Sequence, residues 1–133
     1  MYELAKRIAR QVEEGGLISE VTIYHNPRCS KSRQTLALIR DRGIEPHIIL
    51  YLEGMLTPED IAHTLDLLGV RAIDIIRKNE AEFKTYFGDA DKMSDAELMM
   101  AMARHPKVIE RPIVIARNKA VIGRPPENVL DIL

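Results

Sequence analysis

The tightest constraint in this chain is the seam at residues 21–33, VTIYHNPRCSKSR, where a strand signal gives way to a helical one at the only cysteine. Val21-Thr22-Ile23-Tyr24 is β-branched and aromatic, the composition of a short buried strand. Asn26-Pro27 ends it, because Pro27 has no N–H for a ladder and holds Asn26 extended. From Ser30 onward Thr35, Leu36, Leu38 and Ile39 share one helical face, and Gly43 gives the stop. Cys29 is therefore predicted at the first helical turn. The unpaired N–H groups of such a turn carry partial positive charge and favour a thiolate or a docked oxyanion. Arg28, Lys31 and Arg33 bring further cations, and His25 lies four residues upstream. A lone cysteine is commonly a small buried hydrophobe, but these polar neighbours point to a reactive thiol beside an anion pocket.

The rest of the chain gives this seam a sheet to sit on. Residues 46–51 (PHIILY) read as a second strand, and the helix between the two strands makes a parallel, right-handed βαβ unit. Thr57-Pro58 opens a helix that buries Ile61, Leu65 and Leu68 and stops at Gly69. Short helices are expected over residues 72–78 and 80–87. Ser94 to Glu97 has capping-box spacing and opens another helix, burying Leu98, Ala101 and Met102, before His105-Pro106. The methionines at 99, 100 and 102 read as gap-filling core. Residues 113–115 and 120–122 form an antiparallel hairpin, with Asn118 suited to the left-handed turn position. Pro125-Pro126 start a last helix over residues 127–133. The predicted fold is α/β, a thioredoxin-like β-α-β…β-β-α mixed sheet with a helical block inserted at about 57–105, between the second and third strands.

This domain is expected over residues 21–133. Before it, Leu4, Ala5, Ile8, Ala9 and Val12 mark an amphipathic helical extension over residues 1–20, ended by Gly15-Gly16 and either packed on the surface or used in a dimer contact. A length of 133 residues suits one domain with a sizeable core. The net charge of −1 argues against nucleic-acid coating or a polybasic membrane role, and no apolar run is long enough to span a bilayer. With one cysteine there is no internal disulfide and no thiolate-rich zinc site. His47, His63 and His105 share no face, so no metal is expected. A cytoplasmic monomer or weak dimer is the expectation.

Three arginines stand where a chain of this topology returns to its first strand: Arg77 in IIRKN, Arg111 in ERPIVI and Arg124 in IGRPPE. In a thioredoxin-like sheet the loop before the third strand abuts the start of the first helix, and its proline, here Pro112, is commonly cis. Arg111 would then reach the Cys29 pocket.

Over residues 21–133 the sequence resembles the glutathione- and glutaredoxin-coupled arsenate reductase family. The family's His-x₃-Cys-x₃-Arg signature appears as His25, Cys29 and Arg33; LYLE at 50–53, RKN at 77–79, RPIV at 111–114, and RP followed by VLDIL also match. The resemblance implies Cys29 as nucleophile and Arg77, Arg111 and Arg124 as the oxyanion-binding triad, with Ser30 beside it and Asn26, Arg33 and Pro112 in support. Planar guanidinium groups suit the edges of a tetrahedral oxyanion. His25 either lowers the Cys29 pKa as an imidazolium or shapes the turn; Arg33 is expected to hold the loop by pairing with a carboxylate. The implied partners are arsenate, glutathione as co-substrate and glutaredoxin, with no bound cofactor. Thioredoxin-coupled reductases relay through several cysteines of their own, which the single cysteine excludes. A Cys-x₅-Arg phosphatase loop is absent, since Thr35 occupies the arginine's place. The remaining alternatives are a glutathione-linked thiol oxidoreductase with another substrate and an Spx-type RNA polymerase-binding regulator, whose usual Cys-x-x-Cys is replaced by Ser32 at the second position.

Overall fold

The structure, a computed structural model, describes residues 20–54 and 56–133, so the expected helical extension over residues 1–20 lies outside the described residues save for Glu20. Strand β1 (Val21–Tyr24) is central in a four-stranded sheet. It pairs parallel with β2 (His47–Ile49), with Ile23 opposite Ile48, and antiparallel with β3 (Ile113–Ala116), with Ile23 opposite Val114. The outer strand β4 (Lys119–Ile122) closes the hairpin with β3. The order β2-β1-β3-β4, with α1 (Ser30–Asp41) as the crossover from β1 to β2, is thioredoxin-like.

Alternation along the strands divides the core into two layers. Val21, Ile23 and Val114 point towards α1, where they meet Leu36, Ile39 and the C-terminal Val129. Tyr24, Ile49 and Ile113 point the other way, into the helical block, against Ile61, Leu65, Leu98 and Met102. Both faces are covered, which is why β1 is buried at every position.

The block holds α2 (Pro58–Leu68), α3 (Ala81–Tyr86) and α4 (Asp95–Arg104). The caps of α2 and α4 follow the sequence signals. Thr57 and Asp60 exchange hydrogen bonds at 3.1 Å each, as do Ser94 and Glu97 at 3.0 and 3.1 Å.

Several expected elements are shorter or tighter than the periodicity suggests. The second strand stops at Ile49, and Tyr51–Glu53 is a 3₁₀ turn, closed where Gly54, at φ +85°, donates to the Tyr51 carbonyl. Of residues 72–78 only Ala72–Ile75 are helical, as a 3₁₀ turn. Ile75 and Ile76 are both buried, but a helix continued through Ile76 could not offer its backbone to the segment at Ile109. The chain extends instead, and Ile76 bridges Ile109 antiparallel. Residues 57–105 are thus helical in pieces, with a further 3₁₀ turn at Ala90–Lys92, and another at Pro106–Val108 leads out of the block. The last segment is 3₁₀ as well, Pro126–Asp131. Asn128 Nδ2 ties it to the carbonyls of Ile122 and Arg124 (3.3 and 3.1 Å) while Val129 is buried against the α1 side of the sheet. In the hairpin turn the left-handed residue is Arg117 (φ 59°) and not Asn118; Arg117 is held by Glu20 through its backbone N–H and its guanidinium.

Gly123 carries the chain from β4 back towards β3, its N–H donating to the Pro112 carbonyl at 2.9 Å. A Cβ there would lie 2.5 Å from Thr35 Oγ1 and 2.8 Å from Pro112 Cγ. Gly123→Ala is expected to lower stability by about 1–3 kcal/mol, the usual penalty for overpacking. A urea melt checks this, and an unchanged midpoint would mean that Thr35 and Pro112 yield without cost.

Candidate active site

Cys29 is the N-cap of α1, extended at φ −96° and ψ 122°, and its side chain makes no capping bond. The loop that delivers it is fixed by short-range bonds. The His25 N–H continues the β1–β2 ladder onto the Ile49 carbonyl at 2.8 Å. Ser32 Oγ, fully buried, accepts from the Asn26 N–H at 3.0 Å and pairs with His25 Nδ1 at 2.6 Å. Asn26 Oδ1 accepts from the Arg28 N–H, and the Asn26 carbonyl from the Cys29 N–H, both at 3.0 Å. Asn26 thus caps the turn that presents the sulfur.

Arg33 lies on the exposed side of α1. Its guanidinium donates to the Pro27 carbonyl at 2.9 Å, so it holds the loop through a backbone oxygen and not through the expected carboxylate. Ser30 is the first residue of α1 with an exposed side chain, and what it offers the pocket is the N–H of the first helical turn. Arg28 is also exposed.

The cation that reaches the sulfur comes from the far end of the chain. Arg124 Nη2 donates to Cys29 Sγ at 3.8 Å, and Arg124 Nε to the Arg111 carbonyl at 2.8 Å. Arg111 begins the approach to β3 through a cis bond to Pro112. The bridge between Ile76 and Ile109 brings in Arg77, whose N–H donates to Val108 at 2.6 Å while the Glu110 N–H donates to Ile75 at 2.8 Å.

Two carboxylates lace the three guanidiniums together. Glu80 Oε1 lies 3.0 Å from Arg77 Nη1 and 3.8 Å from Arg111 Nη1. Glu110 lies 4.0 Å from Arg77 Nε and 3.6 Å from Arg124 Nε. These side chains are about a fifth to a third exposed, where like charges repel more strongly than in bulk water, and the carboxylates offset that repulsion. Tyr51, at the start of the 3₁₀ turn after β2, is buried beside the same charges. Glu80, Glu110, Ser32 and Tyr51 are missing from the sequence-derived site. The carboxylates carry no spacing signal, and Ser32 stands out in the sequence only as the residue that replaces the second cysteine of a Cys-x-x-Cys. Among the described residues no cluster of His, Cys, Asp or Glu is arranged to hold a metal ion, and no helix is long and apolar enough to cross a membrane.

The ArsC family profile matches residues 24–132, which span the Cys29 loop and all three arginines. The chain belongs to the ArsC family. It is 46% identical over 114 residues to an arsenate reductase of Haemophilus influenzae, covering 85% of this chain and 98% of that one. It is also 46% identical over 121 residues to the uncharacterized protein YfgD of Escherichia coli K12, covering 88% and 99%. Among solved structures, an arsenate reductase from Vibrio cholerae superimposes with a TM-score of 0.81 at 46% identity, covering 85% of this chain and 97% of that one. This ArsC chain matches both of these relatives over nearly their whole length, residues 1–23 lying outside the family match.

His25 has a definite protonation preference. Burial, with the positive charges of Arg40 and Arg33, pushes its pKa below the ordinary histidine value. The neutral ring is then favoured near pH 7, and its Nδ1 shares a hydrogen bond with the Ser32 hydroxyl that ties the ring to the loop; a neutral ring carries no positive charge. The unfolded chain takes up this proton first. His25 therefore costs stability as pH falls through about 6.5 and costs none above it. An NMR titration is expected to place the His25 pKa below 6.5; a value above that would restore the imidazolium role.

Proposed function

We propose that this chain is an arsenate reductase with Cys29 as nucleophile and Arg77, Arg111 and Arg124 as its oxyanion clamp. The observation that carries the reading is the Arg124 guanidinium 3.8 Å from Cys29 Sγ, with Arg77 and Arg111 held beside it by Glu80 and Glu110. The naming of several relatives as arsenate reductases supports it.

The Cys29 thiolate attacks arsenic(V), and one arsenate oxygen leaves as water once protonated, giving a thiolate–arsenic bond. The guanidiniums hold the remaining oxygens and offset the charge that develops on them. Glutathione supplies the second thiol. Its sulfur bonds to the Cys29 sulfur, the Cys29–arsenic bond breaks, and its electron pair goes to arsenic, which leaves as arsenous acid. Two electrons have then passed from two thiols to arsenic, and the protein carries a Cys29–glutathione disulfide. With no second cysteine in the chain, an external dithiol such as glutaredoxin resolves it by thiol–disulfide exchange. Ser32 stands where a Cys-x-x-Cys pair would place its second sulfur; it is buried and bonded to His25, which argues against an Spx-type redox switch.

The test is NADPH consumption with arsenate, glutathione, glutaredoxin and glutathione reductase. Arsenate-dependent turnover is expected for the wild type, none for Cys29→Ser, and a kcat/KM lower by about 100-fold or more for Arg111→Ala, the usual cost of removing an oxyanion donor. No arsenate-dependent rate in a wild type whose Cys29 still accepts glutathione would replace this reading with a glutathione-linked thiol oxidoreductase.

A further inference from the structure

Tyr51 is a buried polar side chain near the Cys29 end of the sheet that the proposed chemistry leaves unused. It opens the 3₁₀ turn after β2, two residues beyond the Ile49 carbonyl that receives the His25 N–H. The residue is 1% exposed, and its hydroxyl is buried without a hydrogen-bond partner among the described residues. Buried hydroxyls are rarely left so. The fold provides for its other core phenol: Tyr24, equally enclosed, places its hydroxyl 3.3 Å from Thr64 Oγ1.

The surroundings of the Tyr51 hydroxyl indicate what it serves. The charges that act on it are those of Cys29, Arg77, Glu80 and Arg124, which are the sulfur and the clamp themselves. Burial, chiefly, and the negative charges of Cys29 and Glu80 push its pKa well above the ordinary tyrosine value, so it keeps its proton. A second buried donor of the pocket is in the same condition, since Arg111 Nε also lacks a partner among the described residues.

The geometry points to the Tyr51 hydroxyl as a fourth hydrogen-bond donor to the tetrahedral oxyanion, beside Arg77, Arg111 and Arg124. The inference rests on the oxyanion reading of the Cys29 pocket. A neutral donor suits this place, because three guanidiniums already face two carboxylates and a thiolate. A phenol adds a directed bond to an anionic oxygen without adding charge to that set.

The experiment measures protection of Cys29 against iodoacetamide by inorganic phosphate, which needs neither turnover nor a reductant, in the full chain. Tyr51→Phe removes only the hydroxyl and keeps the buried ring; Tyr24→Phe is the control for loss of a phenol elsewhere in the core. The phosphate concentration giving half-protection is expected to rise about tenfold or more in Tyr51→Phe, as for loss of a hydrogen bond to a charged group. In Tyr24→Phe it is expected to stay at the wild-type value, and the pH profile of alkylation without phosphate is expected to be the same in all three proteins. Equal protection in Tyr51→Phe and wild type overturns the inference. So does a shifted alkylation profile with unchanged protection, which would assign the hydroxyl to the sulfur. If neither phosphate nor arsenate protects the wild type, the oxyanion reading itself fails and the inference falls with it. A readout that needs no variant is the tyrosine ultraviolet difference spectrum of the wild type: phosphate is expected to perturb it, and no change at saturation counts against Tyr51.

Discussion

The Ser32 hydroxyl bonds at once to the His25 ring and to the Asn26 N–H, and in doing so it closes the loop between β1 and α1 from inside the protein. Three consequences follow. The β1–β2 ladder extends one residue beyond β1, through the His25 N–H. Asn26 is turned so that its side chain and carbonyl meet the N–H groups of Arg28 and Cys29. Cys29 then arrives at the head of α1 with its sulfur free of capping duty and open to Arg124. A buried hydroxyl serving two partners orders the segment more firmly than a surface contact would, because no water competes for either bond.

The arginines show a different kind of economy. Partly enclosed guanidiniums repel one another and resist desolvation, and a fold that gathers three of them must supply acceptors. Here each of two carboxylates serves a pair: Glu80 spans Arg77 and Arg111, and Glu110 spans Arg77 and Arg124. The carboxylates leave the cluster with a smaller net positive charge than the arginine count suggests. On the proposed reading, an incoming oxyanion would meet guanidinium planes already oriented and would share their N–H groups with Glu80 and Glu110.

What the sequence disclosed follows the range of the interactions involved. The seam at Cys29, the N-cap at Thr57, the capping box at Ser94 and the hairpin are set by neighbours within a few residues, and all are legible in the sequence, as is the thioredoxin-like order of elements. The left-handed residue is Arg117, one before the expected Asn118, because the two-residue loop closed by the Ala116–Lys119 pair takes its positive φ at the first turn position. Residues 75 and 76 read as helix until their bridge to residue 109 is considered, and that bridge is what places Arg77 beside Glu110. Glu80 and Tyr51 carry no periodicity that marks them as site residues: Glu80 pairs with nearby Arg77 but becomes part of the cluster only through Arg111, thirty-one residues on, and the charges around Tyr51 come from residues 29, 77, 80 and 124.

Arg111 and Arg124 flank one β-hairpin, just before Ile113 and just after Ile122, which are paired in register. Their relative placement is therefore governed by the pairing of two adjacent strands, about 4.8 Å apart along the ladder, as the jaws of a calliper are held by its beam. The gauge of the opening is set by the ladder and by the close seat of Gly123 on Pro112, while the turn at Arg117-Asn118 sits at the opposite end of the beam. Residues added or removed at that turn would leave the jaws in place so long as the register held, whereas a slip of one residue along the ladder would throw both off their face.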